Sequence, residues 1–327
     1  YSSYVFGIYG PVVTTVAEAL TDAGVEVTLS HACHSCTLLE NATAALDERR
    51  SVLLVSLGWM NLSKPGHPRV MDSCGYYPTL EKLGALGVYI VLYQTEPNPA
   101  WWQDNVFTIG KLVRAREVWL YTMALASFFS KRTEFSARYF PPGCASSLKV
   151  EAHFNISQPA TGVGFIGNKY GRDKNEYGRY WKSFSRELRV KSGIRSRWQW
   201  RKYLEEFPMQ FNIHSLSNRI RAFESLRGAM LLTNGACLLS ARVLAKDEEI
   251  WGDMVHFVSP DAAGEIHRYM RRNASALEDC VLNSRATFCK RFKPIKLLAD
   301  SGFQAVLTDS QPPQQLSGGV GSASDAP

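Results

Sequence analysis

The chain lacks any hydrophobic segment long enough to cross a membrane. Its longest apolar runs, such as Val52–Leu57 and Val88–Tyr93, have the length of buried strands. They fall far short of the roughly 18 apolar residues that a membrane-spanning helix requires. With 45% hydrophobic residues over 327 positions, the chain is long enough for two domains of ordinary size, each with its own core. We therefore expect no membrane span in this chain.

Cysteine is sparse, and its pattern is incomplete. The seven cysteines are odd in number and scattered, which does not suggest a disulfide framework. The segment Cys33–Cys36, with His34 inside it and His31 before it, has partial metal-ligand spacing. A closed zinc site needs four ligands, and no second CxxC or HxxxH pair accompanies the first. We expect partly buried thiols and no metal site here, although both histidines stand where an active cleft could lie.

The sequence leaves the cellular compartment open. The chain begins at Tyr1 rather than at Met, so an upstream signal or anchor would not be visible. Four N-glycosylation sequons begin at Asn41, Asn61, Asn155 and Asn273. They favour a secretory-pathway lumen weakly, and chance sequons in a cytoplasmic protein would explain them about as well.

Alternating strand and helix patterns predict a parallel, doubly wound α/β sheet in the first part of the chain. The predicted strands are Tyr4–Tyr9, Val25–Leu29, Ser51–Leu57, Gly87–Tyr93 and Arg138–Gly143, and the predicted helices are 12–23, 80–86 and 122–131. The first strand-helix-strand unit has the length of a βαβ crossover. We expect these elements to form an N-terminal domain over residues 1–145.

The second part repeats this architecture over residues 146–300. Its predicted strands are 162–166, 210–213, 236–239 and 253–259, with a long helical, basic stretch after the first strand and a helix over 264–273. A last helix over 288–298 is expected to pack back on the first domain, with Pro294 kinking or breaking it. Residues 309–327 are mostly Gln, Pro, Gly and Ser, which predicts a disordered tail.

The stretch Phe211–Ser240 carries the most informative pattern. It indicates a strand end, a loop, a helix, an Asn-Gly turn and a short apolar strand. Glu224 and Arg227 are three residues apart near the start of the helix and therefore share one face. Asn234-Gly235 ends the helix, because Gly accepts the left-handed cap without strain. The unit places a charged pair at the carboxyl edge of a parallel sheet, where open α/β sheets bind ligands.

A second candidate lies at the strand-to-helix turn that opens the C-terminal half. Gly162–Gly167 matches GxGxxG, but the strand lies inside the motif, so the dinucleotide fingerprint is out of phase. The useful part is Gly167-Asn168, whose backbone amides and following helix start could face a phosphate, with Arg172 just beyond. An ordinary turn with a solvated arginine explains the same residues equally well.

Glu96 is the corresponding candidate in the first domain. It ends a buried strand and is followed by Pro97. A carboxylate at this position can orient an acceptor hydroxyl or act as a base. Capping of the next helix is an equally good interpretation.

The stretch 172–202 interleaves basic and aromatic residues and supplies much of the net charge of +7. This composition is typical of nucleic-acid surfaces. It is also typical of solvated amphipathic helices that turn their aromatic residues inward, and contact with a phosphate or polyanion is a third possibility. We favour the solvated face and do not expect nucleic acid as a partner.

Four segments, taken in order, resemble GT-B glycosyltransferases, above all the CgeB-like and group-1-like transferases. They are YIVLYQTEP, then EVWLYT with YFPPG, then VGFIGNKYGR, and finally NIH with FESLRGAMLLTNGACLLSA. The resemblance spans roughly Tyr89–Ser259. Each segment alone is weak, and their order and spacing carry the likeness.

The resemblance implies two Rossmann-like domains that face each other across a cleft. It implies transfer of a sugar from a nucleotide-sugar donor to a hydroxyl of a glycan, protein or small-molecule acceptor. Glu96 and Glu224 would be the catalytic carboxylates, with the acceptor near Glu96. The implied donor-binding residues are Gly167, Asn168, Arg172, Asn212, His214, Glu224, Arg227 and Asn234. No D-x-D pair follows a strand, which fits metal-independent transfer, so neither a metal nor a further cofactor is expected.

Two positions depart from the family pattern. Ala241 stands where many relatives carry Glu, and Met230 stands where group-1 members often carry the ribose-binding Glu. Possible substitutes are Asp247, Glu248 and Glu249. The departures leave open a degenerate relative that binds a sugar nucleotide or glycan without turnover. A nucleic-acid-binding α/β protein is the remaining alternative.

Overall fold

The structure is a computed structural model. It describes residues 9–30, 35–57, 76–95, 108–131, 135–154, 162–167, 175–184, 188–194, 196–213 and 221–309. None of the helices in these ranges is long and apolar enough to cross a bilayer.

A parallel sheet with the strand order β1-β2-β3-β4 forms the centre of the first domain. The elements are α1 (Gly10–Asp22), α2 (Ser35–Asp47), β1 (Leu53–Ser56), α3 (Tyr76–Ala85), β2 (Tyr89–Gln94), β3 (Glu117–Leu120), α4 (Met123–Phe129) and β4 (Ser136–Tyr139). The Thr122 hydroxyl caps α4 by accepting from the Leu125 amide. The predicted strands 51–57 and 87–93 and the helices 12–23, 80–86 and 122–131 are confirmed with shifted ends.

The second domain is built on a parallel sheet with the order β6-β5-β7-β8-β9. Its elements are β5 (Val163–Ile166), α5 (Asn175–Ser183), β6 (Leu188–Lys191), α6 (Arg197–Glu206), β7 (Met209–Asn212), α7 (Ser225–Thr233), β8 (Cys237–Ala241), α8 (Ala245–Trp251), β9 (Val255–Val258), α9 (Pro260–Arg272), α10 (Ala274–Arg291), α11 (Pro294–Asp300) and α12 (Phe303–Asp309). A 3₁₀ turn, Ser146–Leu148, lies between the two sheets in sequence. The predicted α/β class with two Rossmann-like domains is confirmed, and the predicted boundary at residues 145/146 stays a prediction.

Both sheets are covered on both faces, as parallel sheets require. Alternate residues of a strand point to opposite faces, so Val91 and Tyr93 of β2 join a core that also contains residues of α1 and α7. Ile90 and Leu92 join a different core, beneath α2, α3 and α4. The second sheet has its own outer core, which includes Phe165. The core that contains α1 and α7 therefore belongs to both domains.

The C-terminal helices return to the first domain. Pro294 is the first residue of α11, so it separates α11 from α10 rather than kinking one helix, and α11 packs against α1. Phe303 of α12 is fully buried, with its ring 4.9 Å from that of Trp119 and 5.8 Å from that of Tyr89. The expected return of the last helical segment is thus confirmed.

An ion pair between Glu117 and Arg138 holds the C-terminal helices against the first sheet. The Glu117 carboxylate accepts two bonds from the Arg138 guanidinium, at 2.6 and 2.8 Å, and one from the Tyr89 hydroxyl at 3.0 Å. Arg138 also donates to the Ser301 carbonyl, at 2.7 Å, between α11 and α12. Burial, with a smaller contribution from the Glu117 charge, raises the pKa of Tyr89 to about 12, so its phenol stays a donor.

Three sequence-based expectations need correction in the described residues. Val25–Leu29 is not a strand there: Val25 and Val27 pack against the core, but the segment has no regular secondary structure. The basic stretch is not one long helix, because β6 pairs with β5 in its middle. Cysteine does supply disulfides, Cys144–Cys289 and Cys237–Cys280.

The remaining expectations about elements fall partly outside the described ranges. Residues 4–8 of the predicted first strand and residues 310–327 of the predicted tail lie outside the described ranges. Asp309 ends α12, a helix that the composition did not indicate. Cys33, His31 and His34 also lie outside, whereas Cys36 is an exposed free thiol.

Candidate functional site

The strand order of the second sheet defines where a ligand would bind. β5 lies between β6 and β7. The connection after β5 leads to β6 on one side of it, whereas the connection after β7 leads to β8 on the other side, so the switch point lies between β5 and β7. In doubly wound sheets of this order, ligands bind outside the carboxyl ends of the strands at that switch point. The residues that end β5 and β7 are therefore the first to consider.

Arg227 occupies this position. Its Nη1 donates to the Asn212 Oδ1 at 2.8 Å and to the Ile213 carbonyl at 3.4 Å, both at the end of β7. Its guanidinium carbon lies 5.0 Å from the centre of the Phe165 ring on β5. The side chain is therefore held by both strands of the switch point, which limits the rotamers that an arginine normally samples.

Asn212 positions Arg227 from inside the sheet. Its side chain is fully buried, and its Nδ2 donates to the Ser240 hydroxyl on β8 at 3.4 Å. Because the Asn212 amide oxygen accepts from Arg227, any effect of Asn212 on a ligand would pass through the position of the guanidinium. We expected it to line the cleft, but its buried amide holds the arginine instead.

Gly167 follows β5 and lies directly beside the guanidinium. Its φ is +149°, and a Cβ added there would lie 3.3 Å from Arg227 Nη2 and 3.1 Å from the Phe165 ring. Glycine thus permits both the backbone conformation and the close approach of the arginine. The Gly167 amide donates to the Lys191 carbonyl at 2.9 Å, so it extends the pairing of β5 with β6 and is not directed at a phosphate.

Glu224 stands at the N-cap position of α7, and its side chain makes no capping bond. It is half-buried, next to the fully buried Phe223. The Phe223 amide donates to the Asp247 carboxylate at 2.8 Å, which fixes the start of α7 against α8. Burial raises the pKa of Asp247 to about 6, while the bond from the Phe223 amide lowers it in part.

α7 itself is shaped for close packing at this end. Gly228 carries no side chain, and a Cβ there would come within 2.7 Å of the Phe223 ring. The predicted Asn-Gly end of the helix is also confirmed, with Gly235 at φ +77°. α7 thus has Glu224 at its N-cap and Arg227 in its first turn, at the end where the helix dipole favours anions.

The structure assigns Asn234 a different place from the predicted one. It lies at the opposite end of α7 from Arg227, buried, and its amide oxygen accepts from the Val150 amide at 2.7 Å. Its Nδ2 donates to the carbonyls of Leu148 and Met230, at 3.0 and 2.9 Å. These bonds attach the segment 148–150 to the end of α7. We therefore correct the assignment of Asn234 from donor binding to a structural role.

Four predicted site residues lie outside the described ranges. They are Glu96, Asn168, Arg172 and His214. The structure therefore brings together Gly167, Asn212 and Arg227, with Glu224 three residues before Arg227.

The two departures from the family pattern fall on buried positions. Met230 is 2% exposed within α7, and Ala241 is 2% exposed at the end of β8. Of the substitutes considered above, Asp247 bonds the Phe223 amide, and Glu248 pairs with Arg242 at 2.6 Å. Glu249 is exposed. Sequence reasoning missed Asp247 as a support of α7, because its partner is a backbone amide 24 residues away.

The basic and aromatic stretch turns its rings inward. Tyr180, Phe184 and Trp200 are buried, whereas Arg197 and Lys202 are exposed. Trp198 is an exception, at 66% exposed, with Lys202 over its ring. This arrangement favours the solvated face over a nucleic-acid surface.

One group of side chains among the described residues has metal-ligand spacing. It consists of Cys237, His256 and Cys280. Both sulfurs belong to one disulfide, so neither is a thiolate that would bind a metal.

No known family model matches the chain, and no curated protein matches it by sequence. Among solved structures, the glycosylation-associated protein Gap123 complex of Streptococcus agalactiae is similar at 8% identity and a TM-score of 0.46, over 81% of this chain and 57% of that chain. HepE of Anabaena, in complex with UDP-glucose, is similar at 10% identity and a TM-score of 0.48, over 72% and 77%. The glycotransferase of kitacinnamycin is similar at 11% identity and a TM-score of 0.40, over 91% and 89%.

Similarity at these TM-scores assigns neither activity nor substrate. The two parallel sheets and the C-terminal helices that return to the first domain define the fold on their own as two Rossmann-like α/β domains.

Proposed function

We propose that this protein is a GT-B glycosyltransferase that moves a sugar from a nucleotide-sugar donor to a hydroxyl acceptor, without a resident metal. The observation that supports it best is the position of Arg227, which two strands hold at the switch point of the second sheet. A guanidinium at this point matches the diphosphate of a nucleotide sugar in charge and in geometry.

Transfer of a sugar from a nucleotide donor needs a positive charge beside the diphosphate. When the bond between the anomeric carbon and the donor breaks, negative charge develops on the nucleoside diphosphate that leaves. A preorganised guanidinium and the N-terminal end of α7 stabilise that charge without reorganisation. Arg227 would thus do the work that a divalent cation does in metal-dependent transferases.

The other site residues take roles around this group. Glu224, at the start of α7, would approach the sugar or the nucleotide, and Asn168, Arg172 and His214 would complete the donor side. Glu96 would orient the acceptor hydroxyl or remove its proton. These roles follow from the resemblance and from the position of Glu224 at the N-cap of α7, three residues before Arg227.

Binding of UDP and GDP, by titration calorimetry, tests the donor site. We expect Arg227→Ala to weaken binding about 10- to 100-fold, because a hydrogen bond to a charged group contributes about 1.5–3 kcal/mol. Arg201→Ala is the matched control, since Arg201 is an exposed arginine that pairs with Glu205 on α6. Equal affinities for wild type and Arg227→Ala would contradict the site.

Release of the sugar from UDP- and GDP-sugars tests turnover. We expect Glu224→Gln to abolish it while nucleotide binding and the circular dichroism spectrum stay close to those of wild type. Full activity in Glu224→Gln would remove Glu224 from the mechanism.

A second candidate function follows from Met230 and Ala241, which stand where the resembled transferases carry glutamates and are buried apolar side chains here. In this alternative the protein binds a sugar nucleotide without transferring the sugar. Nucleotide binding that depends on Arg227, with no turnover for any donor tried, would support it.

A further inference from the structure

Four of the described cysteines form two disulfides. Cys144, which follows β4, is joined to Cys289 on α10 across 145 residues. Cys237, the first residue of β8, is joined to Cys280 on the same helix across 43 residues. The Cα–Cα distances are 4.9 and 5.3 Å, within the range of disulfides in folded proteins. Disulfides of this structural kind persist in oxidising compartments and are rare in the cytosol.

Both disulfides are built into the fold rather than placed on its surface. Cys237 is fully buried and Cys280 is 8% exposed. Next to the other bond, the Cys144 amide donates to the Phe292 carbonyl at 2.9 Å, so the backbone already brings the two segments together. Both bonds end on α10, which they join to the segment after β4 and to β8, a strand with a neighbour on each side.

A sequon on α2 points to the same compartment independently. Asn41 is exposed, whereas its neighbour Ala42 is 5% exposed and faces the core with Leu38 and Leu46. The helix therefore presents the Asn41 amide to solvent. Thr43, the third residue of the sequon, donates its hydroxyl to the Leu39 carbonyl at 2.8 Å.

The position of α2 leaves room for a glycan. α2 packs on α3 and covers the face of the first sheet that is opposite to α1. Helix contacts between the domains join α1 to α7 and α11 on the other face and α4 to α8, and none of these pairs includes α2. A glycan on Asn41 would therefore leave the shared core and the candidate donor site undisturbed. Asn273 differs, because its side chain is half-buried and caps α10 by accepting from the Ala276 amide.

We propose that this protein matures in an oxidising, glycosylating compartment, where Asn41 receives an N-linked glycan and the disulfides Cys144–Cys289 and Cys237–Cys280 form. The inference rests on the four cysteines and the sequon and is independent of the proposed transferase activity.

Each covalent step has a defined balance. Each disulfide forms when two thiols lose two protons and two electrons to the disulfide of a thiol–disulfide oxidoreductase, which is reduced to a dithiol. In glycosylation, the Asn41 amide nitrogen forms a bond to the anomeric carbon of a lipid-pyrophosphate-linked oligosaccharide. The bond from that carbon to the pyrophosphate breaks, the lipid pyrophosphate leaves, and the amide loses one proton.

The disulfides are tested on the protein isolated from its source cells. Alkylation with N-ethylmaleimide without a reductant, followed by peptide mapping, should label the exposed free thiol of Cys36, which is the internal control. The other four described cysteines, Cys144, Cys237, Cys280 and Cys289, should be labelled only after reduction. Labelling of these four before reduction would overturn the proposal.

The glycan is tested on the same material. Peptide N-glycosidase in heavy-oxygen water converts a glycosylated asparagine into labelled aspartate, and we expect this label at Asn41. Asn41→Gln and Thr43→Val, expressed in those cells from the full natural gene, should each lose one glycan on a gel, whereas Thr43→Ser should keep it. An unmodified Asn41 peptide in the isolated protein would overturn the proposal, whatever its transferase activity. Circular dichroism of the variants checks that they fold, as expected for the exposed Asn41.

Discussion

At the scale of single residues, the candidate site depends on how Arg227 is held. The sequence spacing suggested a pair with Glu224 on one helix face. In the structure, Asn212 and the Ile213 carbonyl hold the guanidinium. The i,i+3 rule describes what can meet on an isolated helix, but a buried amide 15 residues away offered a better-fixed partner. The arginine was therefore identified from the sequence, and its support was not.

Gly167 gives the sharpest residue-scale prediction. Gly167→Ala should lower the free energy of unfolding by about 1–3 kcal/mol, the cost of a strained backbone conformation, and should also weaken UDP or GDP binding by displacing Arg227. Gly193→Ala is the control, because Gly193 has φ +71° and open space around its Cβ position. It should cost stability through the backbone alone and leave affinity unchanged. Equal nucleotide affinity in both variants would contradict the role of Gly167.

Asp247 predicts a pH dependence of stability. Its pKa is about 6 in the folded state against an ordinary 3.8, so between these values the folded state binds more protons than the unfolded state. The contribution of Asp247 to the free energy of unfolding is therefore greatest below about pH 4 and falls as the pH rises to about 6. The difference corresponds to about 3 kcal/mol at most.

Asp247→Asn isolates this effect, because the amide oxygen still accepts from the Phe223 amide. Denaturant unfolding from pH 4 to pH 7.5 should show the variant gaining stability relative to wild type up to about pH 6, with a constant difference above it. A difference that does not change with pH would show that Asp247 is solvated.

At the scale of elements, periodicity and caps located most of the described helices and strands. Thr122 before α4 and Gly235 after α7 are the residue types that cap helices for known reasons, and both do so here. β6 was missed because it is an edge strand of the second sheet with mostly exposed side chains, so it lacks the apolar run of a buried strand. Its partner β5, not its own sequence, makes it a strand.

Asn234, at the end of α7, holds the segment 148–150 in place through its side-chain amide. Asn234→Ala would leave the Val150 amide and the Leu148 carbonyl without their partner, which should cost roughly 2–4 kcal/mol of unfolding free energy. Asn273→Ala removes another helix-end asparagine, the cap of α10, and should cost only about 1 kcal/mol. Unchanged stability of Asn234→Ala, together with weaker nucleotide binding, would restore the donor-binding assignment.

At the scale of the whole molecule, the C-terminal helices join the two domains. α11 packs on α1. Arg138 of β4 donates to the Ser301 carbonyl after α11, and Phe303 of α12 packs against Trp119 of β3. The pattern around Pro294 indicated that the last helices return, but neither the ion pair of Glu117 nor the burial of Phe303 could be read from it. The ion pair joins neighbouring strands, in which Glu117 and Arg138 are 21 positions apart. The bond from Arg138 to the Ser301 carbonyl spans 163 positions, and Phe303 is similarly distant in sequence from the sheet that buries it.

Phe303→Ala tests this connection. Removing a fully buried ring should cost about 3–5 kcal/mol, through lost burial and the cavity left between Trp119 and Tyr89. Leu282→Ala is the control, because Leu282 is 58% exposed and should change stability by no more than about 0.5 kcal/mol. Thermal unfolding measures both, and similar melting temperatures for the two variants would mean that α12 contributes nothing to the fold.

The sequence by itself determined the α/β class, the turn that ends α7 and the presence of Arg227 in its first turn, because these follow from local periodicity and backbone preferences. Tertiary structure alone decided that Cys144 meets Cys289, that Asn234 clips the interdomain segment, and that Asn212 holds Arg227 at the switch point. The physical reason is that each of these contacts joins residues of different elements, separated by 15, 84 and 145 positions. Which distant groups meet depends on strand order and helix packing, which no local pattern encodes.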